Sequence, residues 1–346
     1  MSTLPDPAPA DAPVPASAAT PLPASAPVPA PVPDAAFTPA PGIVELRNTT
    51  RWYGNVVAVN DITMTLGPGV TGLLGPNGAG KSTLLHMISG FLAPSRGTVT
   101  IGGVAPWRNP EIFRTVGLVP ERDSVYAFLT AREFVTASAK LHKLPDPTAA
   151  AERALAMVEL GDAADRAIDT YSKGMRQRAK VAAALVHDPR VLLLDEPFNG
   201  MDPRQRMHLM ELLRRFGSEG RTVLFSSHIL EEVEQLARHI EVVVAGRHAA
   251  SGDFRKIRRL MTDRPHRYTV RSSDDRALAA ALIADGSTAG IELDYKERAL
   301  QIQAIDFYRF TELVPRVAKE AGIRLLTVSP ADESLESVFS YLVAAK

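Results

Sequence analysis

GPNGAGKST, residues Gly75–Thr83, decides how the rest of this chain is read. It follows the apolar run VTGLL (Val70–Leu74) and leads into LLHMIS, which makes it a glycine loop between a strand and a helix. Glycines at 75, 78 and 80 let successive backbone N–H groups converge on phosphate oxygens without interference from a Cβ. The helix N-terminus adds partial positive charge. Lys81 can reach the β- and γ-phosphates of a nucleotide, and Ser82 can ligate Mg2+. Gly75, Pro76, Asn77, Gly78, Ala79, Gly80, Lys81, Ser82 and Thr83 are therefore expected to wrap the phosphates of a nucleotide.

Further along, VLLLDEP (Val191–Pro197) reads as a buried strand ending in two carboxylates. Asp195 lies at the C-terminal end of that strand, where open α/β sheets bind ligand, and suits Mg2+. Glu196 is the next residue, so it points elsewhere and can polarise a water for attack on the γ-phosphate. Short apolar runs at 115–119, 222–227 and 240–245 read as further buried strands. Helical stretches separate them, which predicts an α/β fold with a mostly parallel sheet and helices on both faces. Ahead of the glycine loop, IVELRN opens the ordered body, and VVAVNDITMTL (Val56–Leu66) alternates as in a half-buried antiparallel pair. Between Phe128 and Ala184 the pattern is helical throughout.

The chain of 346 residues carries 39 basic and 39 acidic side chains, so no global field draws it to nucleic acid or anionic lipid. It has no cysteine, which excludes disulfides and thiolate metal sites and fits a reducing compartment. No apolar run approaches the ~18–20 residues of a membrane span, and the N-terminus lacks the pattern of a secretory signal. Membrane work would thus need another polypeptide to do the spanning. Residues 1–42 are Pro/Ala-rich, and 13 of the 27 prolines fall before residue 42, as expected of a disordered, partly polyproline-II tail. An ATPase-type domain is expected over 43–253, with its helical subdomain at about 123–184. A cationic linker, 254–266, reads as a solvated helix, with contact to anionic headgroups as the alternative. Over 267–346 the order βαββαβ, ferredoxin-like, predicts a small C-terminal α+β domain. A last helix there would place Leu335, Val338, Phe339 and Leu342 on one face.

With these residues in hand, the chain resembles the nucleotide-binding subunit of an ABC transporter, in the class whose permease is a separate polypeptide. The likeness covers about residues 43 to 252, with five motifs in the family's order. The nearest likeness is to ATPases of two-component export systems, which commonly carry a YSKGM variant of the family signature and a small C-terminal domain. The resemblance implies a P-loop NTPase sheet of the ABC ATPase type. TYSKGMRQR occupies the place of the signature L-S-G-G-Q; Ser172 and Gly174 match it, while Tyr171, Lys173 and Met175 depart. In the family, two ATPase domains pack head to tail and this motif caps the γ-phosphate held by the other subunit. A Ser hydroxyl, a Gly amide and a helix N-terminus would make such an anion cradle, strengthened by Lys173. A simple helix N-cap is the plainer alternative.

The same resemblance assigns the rest of the site. The segment Val116–Phe134 matches the Q-loop region, but Glu121 stands where the family has glutamine. Its carboxylate can ligate Mg2+ or can point away from the γ-phosphate until the site closes. PFNGMDP supplies the D-loop aspartate, Asp202, with Phe198 where threonine is common. His228 matches the switch histidine, and Tyr53 in RWYG is the aromatic expected on the adenine face, in preference to Trp52. Glu196 and His228 are thus the catalytic pair, with Ser82, Asp195 and Glu121 toward Mg2+. The implied function is an ATP-hydrolysing motor that dimerises, with a second copy of itself or a close homologue, around two ATP and drives a membrane permease, in the direction of export. Such a subunit would be cytoplasmic, peripheral on the inner face of the membrane. The alternative, a soluble ATPase acting on ribosomes or DNA, is disfavoured by the single ATPase unit, the lack of a heptad run and the lack of cysteine. No nucleic-acid partner is expected.

Overall fold

The computed structural model describes residues 42–122, 124–253, 256, 265–286, 288–294 and 298–331. The expected tail up to residue 41, most of the expected linker and the expected last helix lie outside the described residues. Two boundaries shift by one residue. Gly42, read as part of the tail, is buried, and its carbonyl accepts a hydrogen bond from Thr222 Oγ1 at 2.7 Å. His266, read as linker, is buried and opens a strand.

The hairpin β1 (Val44–Tyr53) and β2 (Val56–Leu66) is extended by β4 (Arg96–Ile101) into an antiparallel sheet of order β2-β1-β4. The alternation in β2 sends Ile62, Met64 and Leu66 inward and leaves Asp61, Thr63 and Thr65 exposed. The larger sheet runs β5 (Val116–Val119), β6 (Val191–Asp195), β7 (Thr222–Ser226), β3 (Gly69–Leu74), β8 (His239–Val244) and β9 (Arg247–Asp253). Its pairs are parallel except β8 with β9. Strands β6 and β7 are buried along their whole length, as parallel strands covered on both faces should be. Leu192 and Leu194 join one core and Val191 and Leu193 the other, following the two-residue period of a strand.

Helix α1 (Lys81–Ile88) packs on the second of these cores, between the two sheets. On the other side lie α2 (Ala131–Leu141), α3 (Pro147–Met157), α4 (Lys173–Leu185), α5 (Pro203–Ser218) and α6 (Leu230–Leu236). Helix α2 starts with a reciprocal Thr130–Glu133 capping box, and α2, α3 and α4 pack through small residues such as Ala139, Ala154 and Ala182.

After residue 265 come β10 (His266–Ser272), α7 (Asp275–Asp285), β11 (Thr288–Asp294), β12 (Ala299–Ala304), α8 (Phe307–Glu320) and β13 (Leu325–Pro330). Their antiparallel sheet has the order β11-β12-β10-β13, the ferredoxin-like arrangement, over a separate core that includes Val270, Leu282, Ile302 and Phe310.

Strands β4 and β9 carry no apolar run in the sequence and become strands through their neighbours. In β9, RHAASGD, polar contacts help. The buried Glu241 of β8 accepts from Ser251 Oγ at 2.9 Å and lies 2.6 Å from His248 Nε2. That hydrogen bond holds the His248 pKa above the ordinary 6.5, against the effect of burial. A histidine with a raised folded pKa stabilises fully below its unfolded value and loses this contribution as pH rises through the folded one. The melting temperature should therefore fall above pH 6.5 more steeply in the wild type than in His248→Gln. Melting curves from pH 5.5 to 8.5 test this, and parallel profiles would remove His248 from the linkage.

Candidate nucleotide site

The site forms where β3, β6 and β7 end together. Strand β3 runs into the glycine loop, and two of its glycines are required by close backbone approach. A Cβ on Gly75 would sit 2.2 Å from the Val243 carbonyl oxygen, and one on Gly80 would sit 2.4 Å from that of Ala58. Gly80 is also left-handed, at φ 103°, and N-caps α1 without a side-chain hydrogen bond. The first-turn N–H groups of α1 are thereby left for an anion.

A cavity of about 380 Å³ is lined by Asn77–Thr83 of the loop and by Ala58, Glu121, Asp195, Glu196 and His228. Gly75 and Pro76 do not line it; their carbonyls accept from Lys81 Nζ at 2.6 and 3.3 Å. Burial lowers the Lys81 pKa, while Glu196, Asp195 and Glu121, in that order, draw it back up. One cation thus faces three acids in the same cavity.

Ser226 Oγ donates to Asp195 Oδ1 at 2.5 Å and accepts from the Glu196 N–H at 3.0 Å. This fixes both acids from the neighbouring strand. Glu196 has φ 49°, a left-handed conformation that non-glycine residues seldom adopt, and the turn directs it away from Asp195. Its Oε2 lies 2.7 Å from His228 Nδ1. An ionised carboxylate only accepts, so Nδ1 carries the proton. Burial raises the Glu196 pKa, opposed by His228 and then Lys81. Ser227 Oγ accepts from the Ile229 N–H at 3.0 Å and donates to the buried Glu232 at 2.6 Å, which braces the His228 turn. Sequence reading missed Ser226, Ser227 and Glu232; their only signal is adjacency to His228 in SSHILEE.

The remaining expected residues lie elsewhere. Tyr53 does not line the cavity; it ends β1, exposed, with the Arg51 guanidinium 4.8 Å over its ring. Ser172, Lys173, Gly174 and Met175 begin α4, where Ser172 Oγ caps the helix by accepting from the Met175 N–H at 3.2 Å. Asp202 does the same for α5, accepting from Gln205 N–H at 2.9 Å. These two helix starts pack on each other: a Cβ on Gly174 would lie 2.5 Å from Gln205 Oε1 and 3.0 Å from the Gly200 carbonyl oxygen. Phe198, in place of the expected threonine, is buried edge-on to Phe225, with ring centroids 5.9 Å apart.

A profile of the ABC transporter family matches residues 59–199. The linearmycin resistance ATP-binding protein LnrL of Bacillus subtilis is 32% identical over 302 residues, 86% of this chain and 97% of that protein. This chain belongs to the ABC transporter family. The bacitracin transport ATP-binding protein BcrA of Enterococcus faecalis is 31% identical, over 87% of this chain and 96% of its own length. A solved ATP-binding subunit of an ABC transporter superposes with a TM-score of 0.58 at 30% identity, covering 63% of this chain and 92% of that one. The ABC cassette MJ0796, at 24% identity and a TM-score of 0.57, shares the fold. The chain is therefore an ATP-binding subunit of this family, an ATPase coupled to transport.

The cavity also fits Mg2+. Ser82, Asp195 and Glu121 offer hard oxygens along its wall. Among the described residues no three His, Cys, Asp or Glu side chains group as a metal cluster. A cation held here would take its other ligands from phosphate and water, as Mg2+ usually does.

Proposed function

We propose that the chain is the motor of an exporter: two copies close around two ATP, hydrolyse them and drive a separate permease. The observation that carries this reading is the meeting of Lys81, Asp195, Glu196, His228 and the amide-lined loop in one cavity. Lys81 and the loop N–H groups hold the phosphates. Glu196 accepts the proton of the attacking water, and His228 orients its carboxylate. With Nδ1–H given to Glu196, a neutral His228 offers Nε2 only as an acceptor, so donation to the γ-phosphate requires the imidazolium. Ser82, Asp195 and Glu121 would hold Mg2+, which would supply positive charge to offset that of the phosphates. Ser172–Met175 and Asp202 serve the nucleotide of the other subunit, and Tyr53 stacks on adenine. Export follows the relatives named for resistance, for Nod factor export and for bacitracin transport.

No helix among the described residues is long and apolar enough to cross a membrane. Membrane attachment, on this reading, comes through the permease. A cleft of about 680 Å³, lined by Phe91, Phe113, Phe134, Leu141 and Ala183 among others, offers it an apolar dock, and Leu141 is largely exposed there. The natural chain has no cysteine, so Leu141→Cys carries a single attachment point for a photo-cross-linker. In membranes of the native host it should cross-link an integral membrane protein. Cross-links confined to ribosomal or DNA-bound proteins would overturn the transport reading in favour of the soluble one.

A further inference from the structure

Between the nucleotide cavity and the apolar cleft lies a lysine that the proposed mechanism does not use. Lys180, on α4, is only 3% exposed. Its Nζ donates to three successive backbone carbonyls, those of Pro120, Glu121 and Arg122, at 2.8, 3.2 and 3.1 Å. The carbonyls belong to the loop after β5, some 60 residues earlier in the chain. Pro120 and Lys180 line the cleft, while Glu121 lines the nucleotide cavity.

The geometry follows from the ammonium group itself. A compact cation with three N–H donors can satisfy three carbonyls only if they turn to the same side. That side faces α4, and the Glu121 side chain lies on the wall of the nucleotide cavity. Hydrogen bonds to a charged donor are the stronger kind, and burial keeps water from replacing them. The same helix begins, about two turns earlier, with Ser172–Met175. Lys180 therefore links the helix that bears this stretch to the loop that carries Glu121.

We propose that Lys180 is a positioning residue for ATP hydrolysis: it sets the Glu121 carboxylate in the nucleotide cavity and ties that carboxylate to the helix bearing the signature stretch. The proposal rests on the ATPase reading above, with Glu121 acting toward Mg2+.

The test is a double-mutant cycle on the full chain. Lys180→Met keeps the apolar stem and removes the three donors. It should raise the Mg2+ concentration for half-maximal ATPase about tenfold, the usual scale for losing an outer-shell partner, and lower kcat. ATP affinity in Mg2+-free EDTA buffer should stay close to wild type, because the phosphate loop is untouched. Glu121→Gln alone should shift the metal dependence as well. In the Glu121→Gln background, Lys180→Met should add nothing, since a residue acting through Glu121 has no further effect once that carboxylate is gone. A merely structural lysine would reduce activity by the same factor in both backgrounds, and that result overturns the proposal. So does an unchanged metal dependence in Lys180→Met. If Lys180→Met does not fold, Lys180→Gln keeps two donor hydrogens and runs through the same cycle, with a smaller factor expected and the same overturning results. The wild type is assayed first. Absence of Mg-ATPase there would sink the ATPase reading itself, whereas wild-type activity with multiplying effects sinks only the role of Lys180.

Discussion

Glu196→Gln should bind ATP as the wild type does and lose hydrolysis by roughly 10²–10⁴-fold, the range for removing a general base. The amide is isosteric and can still accept from His228, so the turn at φ 49° and the 2.7 Å contact need not change. It has no lone pair basic enough to take the proton of water. The pH profile of the wild type carries the same information. Burial raises the Glu196 pKa above the ordinary 4.5, although His228 and Lys81 oppose it. Activity should therefore decline as pH falls toward that raised value, because the protonated acid cannot act as a base. ATP binding by equilibrium dialysis and phosphate release measured on the same preparation separate the two steps. A Gln variant that turns over at the wild-type rate would remove Glu196 from its role. One that also fails to bind ATP would show that the residue holds nucleotide instead.

Mixing two inactive variants should restore hydrolysis if the signature stretch serves the other subunit. One variant is Lys81→Ala, which lacks the phosphate-loop cation. The other must injure the signature without injuring the fold, and here the structure directs the choice. Gly174→Asp would drive its new side chain into Gln205 and the Gly200 carbonyl of the same chain. Its failure would say nothing about a second subunit. Ser172→Asp is cleaner, because aspartate is as good an N-cap as serine and can keep the hydrogen bond from the Met175 N–H. Its added charge would face the phosphates of the other subunit's nucleotide. At ~4 Å that repulsion is ~1 kcal/mol in water and ~4 kcal/mol at an effective dielectric of 20. In a mixed dimer both lesions fall on one composite site and the other site is intact. Random pairing in a two-fold dimer should then return roughly a quarter of wild-type turnover. Each variant alone should stay inactive. Mixtures that dimerise by light scattering yet stay inactive would argue that the site is complete within one chain. An active Ser172→Asp would leave Ser172 as an ordinary helix cap.

Where the chemistry is contiguous in the chain, it was legible from the residues alone. A loop such as Gly75–Thr83 can offer successive backbone N–H groups to phosphate, so the spacing of glycines, lysine and serine is enough to mark it as a candidate site. Strands β6 and β7 were legible because a strand covered on both faces must be apolar along its length. The βαββαβ order likewise predicted the second sheet, since short connections leave few ways to pair four strands. Whatever depends on residues distant in the chain became visible only in the fold. Nothing local in RHAASGD predicts a strand; pairing with β8 makes it one. Lys180 in RQRAK looks like one more solvated cation, yet it is buried against three carbonyls some 60 residues away. The grip of Ser226 on Asp195 and of His228 on Glu196 spans just over 30 residues in each case. Periodicity and propensity report which face of an element is apolar, and not which element lies opposite. A buried polar group is stable only when it finds its partner, and only the folded chain brings that partner within reach.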